Sequence, residues 1–224
     1  MSETELQSWH SADYAGSWAS EDVIHDMLEL PRRMSVALVQ DAGLDVGHVV
    51  DLGSGPGSYL ETFLRAFPGA KGTWVDSSEA MLELAREQLA GYGDRIAYLL
   101  HDVEDLPSAA IEPAQVVTSA RALHHFSPES LARVYRSAFD LVTPGGFVFN
   151  LDHVGAPGDW EQVYRRVRGQ FFGERKKKLA PHRHDYRLAL ASQHSQWAVD
   201  AGFADADVPW RTFYTALIAG RRPA

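Results

Sequence analysis

The sequence of 224 residues contains no cysteine. This absence excludes disulfide bonds and thiolate metal sites, and it also excludes catalysis by a cysteine nucleophile. Enzymes that attack carbon 5 of cytosine through such a thiolate are thereby removed from consideration.

The sequence also lacks an unbroken apolar run of membrane-spanning length, so we expect no transmembrane helix and no membrane partner. The first ten residues, MSETELQSWH, have neither a basic segment nor an apolar core, so we expect no signal peptide and a cytoplasmic location. Hydrophobic residues make up 45% of the chain, which is ordinary for a globular protein. We expect residues 1–224 to form a single α/β domain with a sizeable core.

The run VVDLGSGPG, from Val49 to Gly57, places an acid and three glycines where an apolar strand gives way to a helix. Gly53, Gly55 and Gly57 can adopt positive φ and carry no Cβ, so the backbone can turn tightly and a ligand can approach it closely. The helix that follows directs its free N–H groups and its positive end toward that ligand. The pattern predicts a site for a polar cofactor, although a tight turn without a ligand can have the same glycines.

The spacing of these glycines differs from that of a dinucleotide-binding loop. Such a loop reads G-x-G-x-x-G and holds a pyrophosphate, whereas this one reads G-x-G-x-G and follows Asp51. A fixed carboxylate repels a diphosphate at short range and attracts a cation. The loop therefore favours a ligand with an amino group and a sulfonium. At this point the sequence resembles the class I S-adenosylmethionine-dependent methyltransferases, whose first motif has this form.

Two further acids follow the next predicted strands. Asp76 ends the segment KGTWVD, and Asp102 lies in HDVEDLP after the third strand. A carboxylate at the end of the second parallel strand can accept hydrogen bonds from both ribose hydroxyls, and Asp102 resembles the family's contact to the adenine amino group. Any one of these acids is more commonly a helix cap or a turn residue. Together with the glycine loop, however, they predict a nucleoside cofactor.

Short apolar strands alternate with helical patterns, which favours a parallel sheet covered by helices on both faces. Ser77 or Ser78 is expected to cap one helix and Ser127 another, and TPGG is expected to form a turn into the fifth strand. The resemblance implies an α/β fold with a Rossmann-like, doubly wound sheet of seven strands, the last one antiparallel, and helical lid insertions. Strands are expected at residues 46–52, 72–75, 96–100, 114–119 and 147–151, with two more near the C-terminus.

The resemblance also implies which residues contact the cofactor, S-adenosylmethionine. The glycine loop and Asp51 would line its methionine end and ribose, and Asp76 would bind the ribose. Asp102 and the Val103 amide would hold the adenine edge, and Met81 would cover one adenine face. Met81 lies on the apolar stripe of a helix, a position that equally suits core packing. Ser119 or Ala120 would offer a backbone carbonyl to the ammonium group. The predicted cofactor-binding residues are Asp51, Gly53, Ser54, Gly55, Gly57, Asp76, Ser77, Met81, Asp102, Val103, Ser119 and Ala120.

Methyl transfer from a sulfonium requires mainly in-line alignment with the nucleophile, which can be worth about 7–11 kcal/mol. A general base adds about two to four powers of ten where the acceptor arrives protonated. The candidates are His125 and its neighbour His124 in SARALHHF, and His153 in NLDHV, because they follow the fourth and fifth strands. The alternative to a catalytic role for the histidine pair is that one ring packs inward while the other caps the following helix. No spacing matches a metal-ligand motif, so no metal is predicted.

Two regions depart from the core pattern and are expected to cover the acceptor. Residues 1–40 form the predicted N-terminal helical lid, where Tyr14 resembles a family tyrosine that approaches the reacting methyl group. Residues 155–190 form the predicted lid insertion after strand five, which is rich in Lys and Arg, whereas the first thirty residues contain neither. This asymmetry predicts either pairing of the two lids or a pocket for an anionic acceptor. The predicted acceptor contacts are Arg121, Asp152, Arg183 and Trp210.

These features together predict a methyltransferase that acts on the oxygen or nitrogen of a small-molecule acceptor, anionic or aromatic in character. A net charge of −9 and the absence of an Asn/Asp-Pro-Pro motif after strand four disfavour RNA or tRNA as the acceptor. An NAD(P)-dependent oxidoreductase would need a different glycine spacing. A non-catalytic S-adenosylmethionine-binding module would have the same acids without turnover. The sequence leaves a homodimer open.

Overall fold

The computed structural model describes residues 22–108, 110–172 and 186–224, and within them seven strands form one sheet. The strands are β1 (His48–Leu52), β2 (Lys71–Asp76), β3 (Ile96–Leu100), β4 (Ala114–Ala120), β5 (Val142–His153), β6 (Ala204–Thr212) and β7 (Thr215–Arg221). Their order across the sheet is β3-β2-β1-β4-β5-β7-β6. β1 to β5 are parallel, and β7 runs antiparallel to both β5 and β6. The antiparallel last strand is therefore confirmed.

Two of the helices in the described ranges begin at a serine cap that the sequence supplies. Ser78 accepts a hydrogen bond from the N–H of Met81 at 3.2 Å, and Ser127 accepts one from the N–H of Ser130 at 3.1 Å. Both predicted caps are confirmed, with Ser78 rather than Ser77 in the first case. No helix in these ranges is both long and apolar enough to cross a membrane. The helices are α1 (Asp22–Asp41), α2 (Ser58–Ala66), α3 (Glu79–Gln88), α4 (Pro128–Leu141), α5 (Trp160–Phe172) and α6 (Ala191–Ala201).

Apolar side chains are buried on both faces of the sheet. On one face, Phe63 of α2 and Trp74 of β2 belong to a cluster to which α1 and α3 also contribute. On the other face, Leu52 of β1 and Tyr135 of α4 belong to a cluster that includes residues of α6. Helices therefore cover both faces, and the sheet is a doubly wound, Rossmann-like sheet as predicted.

The segment TPGG lies inside β5 and does not form the predicted turn before the strand. β5 pairs with β4 from Val142 onward, but the register shifts between Ala114 and Val116, which accommodates the extra residues as a bulge. A Cβ on Gly146 would collide with the carbonyl oxygen of Gln115 on the neighbouring strand. The glycine therefore permits a close approach of two strands, a requirement that the local sequence alone does not distinguish from a turn.

Candidate functional site

The glycine loop lies where β1 meets α2. Gly53, Gly55 and Gly57 adopt positive φ values of 61°, 54° and 90°, as their pattern predicts. A Cβ on Gly57 would lie 2.7 Å from Cδ1 of Leu89, and a Cβ on Gly53 would collide with that of Ala122. The loop therefore needs glycine both for its turn and for its packing.

Asp51 lies beneath this loop and is only 1% exposed. Its carboxylate accepts hydrogen bonds from the hydroxyls of Ser54 at 2.6 Å and Thr118 at 2.7 Å. Burial raises the pKa of Asp51 to about 6, while the two hydrogen bonds and the positive charge of Arg32 act in the opposite direction. Above this pH the site contains a buried negative charge near the start of α2.

Asp76 links the carboxyl ends of β1 and β2. Its Oδ2 atom accepts a hydrogen bond from the N–H of Gly55 at 2.9 Å, and its Oδ1 atom accepts one from the N–H of Ser78 at 3.0 Å. One carboxylate thus holds both the glycine loop and the beginning of α3. Trp74 supports the loop as well, because its Nε1 donates to the carbonyl of Gly55 at 2.7 Å.

A cleft of about 200 Å³ opens beside the glycine loop at the carboxyl edge of the sheet. It adjoins the ends of β1 and β4, from which the sheet order runs in opposite directions, and open α/β sheets bind ligands at this position. Residues predicted to bind the cofactor, the acceptor or a proton meet here. The predicted residues that line the cleft are Gly53, Ser54, Gly55, Asp76, Ser77, Met81, Asp102, Val103, Ala120, Arg121 and His125.

Three residues predicted to contact the cofactor lie outside the lining of this cleft. Asp51 lies below the loop, and Gly57 is the N-cap of α2. Ser119 is buried, and its hydroxyl donates to the carbonyl of Leu52 at 2.8 Å. These residues support the loop and the strand ends from within the protein.

Three residues predicted for catalysis or acceptor binding also lie outside the cleft lining. Asp152 is fully buried, and its Oδ1 atom lies 2.5 Å from Nδ1 of His124. The Nδ1 atom of His153 lies 3.3 Å from the carbonyl oxygen of Tyr214. Trp210 packs against the apolar cluster on the face of α1, α2 and α3. The structure therefore does not bring these three side chains together with His125 and Arg121 at the cleft.

The two predicted lid regions are described in part. Tyr14 and Arg183 lie outside the described residues. The ends of the region after β5 meet, because Gly155 and Leu190 form a parallel bridge and the N–H of Gly155 donates to the carbonyl of Ala189 at 2.8 Å. The chain therefore leaves and rejoins the fold at one point, which is typical of an insertion.

Arg121 follows β4 with a positive φ of 57°. This conformation costs a residue with a Cβ on the order of 1–3 kcal/mol, and such strain is concentrated at functional sites. The backbone N–H of Arg121 donates to the carbonyl of Leu151 at 3.0 Å, and its side chain is 9% exposed in the cleft. The strained turn thus directs a buried guanidinium toward the ligand space.

Arg32 also lines the cleft, although nothing in its local sequence singled it out. Its Nε atom is buried and has no hydrogen-bond partner among the described residues. Burial lowers the pKa of Arg32, and the nearby acids Asp51, Glu29 and Glu61 act in the opposite direction. Arg32 and Arg33 are the first basic residues of the chain, but only the fold distinguishes the one that faces the cleft. An anionic group in the cleft would supply the missing acceptor for Arg32.

Among the described residues, no group of three or more His, Asp or Glu side chains is arranged to hold a metal ion. The polar groups of the cleft are instead those that suit an organic ligand with hydroxyl, amino and carboxylate groups. Backbone amides of the glycine loop, the acids Asp76 and Asp102 and the guanidinium of Arg32 supply donors and acceptors, while Met81 and Val103 supply apolar surface.

The chain is similar to proteins of one family. Residues 49–146 match the family model described as a methyltransferase domain. The chain is 32% identical over 176 residues to trans-aconitate 2-methyltransferase of Methylobacterium nodulans, covering 78% of this chain and 63% of the relative. It is 34% identical over 119 residues to ubiquinone biosynthesis O-methyltransferase of Vibrio vulnificus, covering 53% of this chain and 49% of the relative.

Among solved structures, human N-acetylserotonin methyltransferase in complex with S-adenosylmethionine matches with a TM-score of 0.70 and 14% identity. This match covers 99% of this chain and 59% of the human chain, and it supports the fold. The glycine loop, the strand-end acids and the match of residues 49–146 to a methyltransferase domain all point to a class I S-adenosylmethionine-dependent methyltransferase. S-adenosylmethionine is the cofactor of this class. The chain spans 63% and 49% of the length of the two curated relatives named above.

Proposed function

We propose that this protein is an S-adenosylmethionine-dependent methyltransferase that methylates the oxygen or nitrogen of a small-molecule acceptor by in-line displacement. The observation that carries the proposal is the hydrogen bond from Gly55 to Asp76, because it joins the glycine loop and the predicted ribose acid on one wall of the cleft. The names of the curated relatives, which refer to trans-aconitate and to ubiquinone biosynthesis, support a small-molecule acceptor.

The cofactor fits the polar groups along the cleft. Asp76 accepts hydrogen bonds from the ribose hydroxyls, and Asp102 with the Val103 amide holds the adenine edge. Met81, which is 3% exposed, covers the adenine face. The carbonyl of Ala120 accepts a hydrogen bond from the ammonium group. The buried charge of Asp51 attracts the cationic end of the cofactor through the loop.

Arg32 binds the carboxylate of the cofactor's methionine moiety. Its buried Nε atom has no hydrogen-bond partner among the described residues, so this end of the cleft has an unsatisfied donor. A charged donor left unpaired in a buried site is costly, and a carboxylate is the ligand group that satisfies a guanidinium best. Arg32 therefore distinguishes the intact cofactor from nucleosides without the amino acid.

The acceptor has an anionic group that Arg121 binds. The strained turn after β4 holds this guanidinium, which is 9% exposed, in the same cleft as His125. The named acceptor of the Methylobacterium relative, trans-aconitate, is an anion, and this agrees with the charge of Arg121. An aromatic acceptor would contact Phe126, which also lines the cleft.

Residues 1–40 and 155–190 cover the acceptor in a single domain of residues 1–224. The bridge between Gly155 and Leu190 supports an insertion that begins and ends at the sheet. α5 within it packs against the turn between β6 and β7, where the ring of Tyr164 lies 5.6 Å from that of Phe213 and 5.8 Å from that of Tyr214. In this proposal Tyr14 and Arg183 complete the acceptor pocket from the two lids.

When bound, S-adenosylmethionine supplies an electrophilic methyl group on a sulfonium. The protein's part is to align the acceptor with this group and to exclude water, which is worth about 7–11 kcal/mol. Among the predicted bases, His125 has the stronger support because it lines the cleft, whereas His153 does not. A cytoplasmic location remains a prediction from the sequence, which leaves a homodimer open.

Three other functions are less well supported. An NAD(P)-dependent oxidoreductase is disfavoured by Asp51 below the loop, which would repel a diphosphate. RNA or tRNA methylation is disfavoured by the net charge of −9. A non-catalytic S-adenosylmethionine-binding module has the same cofactor contacts and differs only in turnover.

Calorimetric titration tests the cofactor assignment. S-adenosylmethionine and S-adenosylhomocysteine should bind the wild type in the micromolar range, and NADH should not bind. Asp76→Ala should weaken binding at least about tenfold, since a hydrogen bond to a charged group contributes about 1.5–3 kcal/mol. Glu79→Gln, at an exposed position in the first turn of α3, is the matched control for loss of one negative charge.

Release of S-adenosylhomocysteine with a panel of carboxylic acids, phenols and amines then tests turnover. If the wild type methylates an acceptor with an acidic group, and Arg121→Met methylates the same acceptor more slowly, both the reaction and the anion site would be supported. Small-molecule fractions of a cell lysate extend the panel of acceptors. If the protein binds the cofactor but releases no S-adenosylhomocysteine with any of them, the non-catalytic module would be favoured. Binding of NADH instead would overturn the cofactor assignment and the site residues with it.

A further inference from the structure

Two buried hydroxyl groups connect the beginning of α2 to α1 beside the cleft. The hydroxyl of Tyr59, in the first turn of α2, donates a hydrogen bond to Oγ of Ser35 at 2.9 Å. Oγ of Ser35 donates in turn to the backbone carbonyl of Arg32 at 2.6 Å. Tyr59 and Ser35 are 1% and 0% exposed, and burial raises the pKa of Tyr59, so its hydroxyl remains a donor at neutral pH. These two hydrogen bonds, the Tyr59–Ser35 link, end on the residue whose side chain lines the cleft.

The Tyr59–Ser35 link is the polar attachment of α1. Among the side chains of α1 that the structure describes, only that of Ser35 forms a hydrogen bond with another element. The helix otherwise packs through apolar side chains such as Leu28, Val36 and Val39, which belong to the core cluster. Apolar contacts have little directional preference, whereas a hydrogen bond restricts both distance and angle. The link therefore restricts how α1 can rotate or slide on the fold.

The position of Arg32 in α1 makes this restraint important. The preceding residue, Pro31, has no backbone N–H, so one helical hydrogen bond is missing immediately before Arg32. The buried Nε atom of Arg32 has no hydrogen-bond partner within the described ranges. The place of the guanidinium in the cleft therefore depends on where α1 lies more than on a hydrogen bond from Nε.

We infer that Tyr59 and Ser35 are positioning residues that hold Arg32 where it can bind the carboxylate of the cofactor, and that they thereby set the preference for the intact cofactor over nucleosides without the amino acid. This inference rests on the proposed function, in which Arg32 binds that carboxylate. Tyr59 follows Gly57, the N-cap of α2, by two residues. The turn that completes the glycine loop therefore also places the hydroxyl that holds α1.

Removal of both hydroxyl groups tests the inference. In Ser35→Ala/Tyr59→Phe both partners become apolar, which costs the fold far less than leaving one partner buried and unsatisfied. Calorimetric titration of the full-length protein should show binding of S-adenosylhomocysteine weakened about three- to tenfold, on the order of one lost hydrogen bond. The affinity for 5′-methylthioadenosine should stay the same as in the wild type, because this nucleoside has no carboxylate for Arg32 to bind.

Tyr135→Phe is the matched control. Tyr135 is also 1% exposed and hydrogen-bonded, but it belongs to the cluster on the opposite face of the sheet and does not line the cleft. Its loss should leave the ratio of the affinities for S-adenosylhomocysteine and 5′-methylthioadenosine as it is in the wild type. An unchanged ratio in Ser35→Ala/Tyr59→Phe, or the same change in both variants, would overturn the inference.

A double-mutant cycle with Arg32→Met separates positioning from other effects. If Tyr59 and Ser35 act through Arg32, their removal should weaken S-adenosylhomocysteine binding no further once the guanidinium is gone. Fold-changes that multiply would overturn the inference and leave the cofactor assignment intact. Tyr59→Phe alone serves in the same cycle if the double variant does not fold. A wild type that binds neither ligand would instead overturn the proposed function, and this inference with it.

Discussion

The hydroxyl of Ser54 donates a hydrogen bond to Oδ2 of Asp51 at 2.6 Å, which ties the acid of β1 to the glycine loop three residues later. Thr118 of β4 donates to the other oxygen at 2.7 Å. The carboxylate is thus fixed beneath the loop, and burial raises its pKa to about 6. Since this value lies close to neutrality, the charge below the cofactor site depends on pH.

Affinity for S-adenosylmethionine should fall as the pH decreases below about 6. Above this pH Asp51 is ionised and attracts the cationic cofactor, whereas below it the carboxyl group is protonated and neutral, so this attraction is lost. Where binding requires the ionised form, affinity should decrease about tenfold per pH unit below the pKa. Calorimetric titrations from about pH 5 to 8 measure this slope.

Asp51→Asn is the matched variant, because the amide keeps an oxygen that can accept from Ser54 or Thr118. Its affinity should be lower than that of the wild type at pH 8 and should vary less between pH 5 and 7. Circular dichroism at each pH verifies that both proteins remain folded. Equal slopes in the two proteins would assign the pH dependence to another group.

Gly57→Ala should destabilise the fold by about 1–3 kcal/mol, because φ of 90° at this position is strained for any residue with a Cβ. The added methyl group would also lie 2.7 Å from Cδ1 of Leu89. The midpoint of urea unfolding should decrease with little change in the slope of the transition.

Gly91→Ala is the control for Gly57→Ala. A Cβ at Gly91 would meet no atom within 4 Å, and this glycine is not in the left-handed region. Its unfolding midpoint should stay close to that of the wild type. Equal midpoints for the two variants would mean that the loop relaxes around the added methyl group.

The glycine loop and the helix caps could be predicted because their signals are local. Gly53 and Gly57 need positive φ within a single turn, and Ser78 caps a helix that begins at the next residue. The seven-stranded, doubly wound sheet with its antiparallel last strand followed from the family resemblance and from the alternation of strands and helices. The strand-end acid Asp76 could be placed at the cleft because parallel strands end at one edge of the sheet.

The remaining features depend on contacts between distant parts of the chain. Arg32 lies in the middle of α1, whereas Asp51 lies on β1, and only the packing of α1 brings Arg32 to the cleft. Asp152 and His153 are adjacent at the end of β5, and both lie against His124: Oδ1 of Asp152 is 2.5 Å from its Nδ1 atom, and the ring centroid of His153 is 5.0 Å from that of His124. Neither side chain lines the cleft.

Stability should depend on the protonation of His194, which is 1% exposed. Burial lowers the pKa of His194 to about 4, so between about pH 6.5 and 4 the unfolded chain binds a proton that the folded protein does not. The free energy of unfolding should therefore fall as the pH decreases through this range, by at most about 1.4 kcal/mol per pH unit from this group. His194→Asn should reduce this slope, as measured by urea unfolding at several pH values.

Tyr135→Phe separates the titration of His194 from its hydrogen bond. The hydroxyl of Tyr135 lies 3.1 Å from Nδ1 of His194 and accepts a hydrogen bond from Nδ2 of Asn150 at 3.1 Å. Its loss should lower stability by about 1–3 kcal/mol and leave the pH slope in place, because the imidazole is still buried. A flat slope in Tyr135→Phe would show that the hydroxyl, and not burial, controls the protonation.

Arg32→Met should weaken binding of S-adenosylmethionine and S-adenosylhomocysteine by about ten- to a hundredfold, because the carboxylate of each would lose a charged hydrogen bond of about 1.5–3 kcal/mol. The same substitution should change the affinity for 5′-methylthioadenosine less than about threefold, since this nucleoside has no amino-acid carboxylate. The ratio of the two effects, measured by calorimetry, isolates the interaction of Arg32 with that carboxylate from any general damage to the cleft.

Arg33→Met is the matched control, because the neighbouring arginine is exposed and its NH1 group lies 3.8 Å from Glu29 on the same helix. It removes the same charge one residue away and should affect neither ligand. Equal weakening of all three ligands by Arg32→Met would mean that Arg32 supports the cleft only through packing or through its attraction to Asp51. Selective weakening of the two amino-acid ligands would instead identify the partner of the buried Nε atom, and it would explain why an arginine remains in the cleft at the cost of a buried charge.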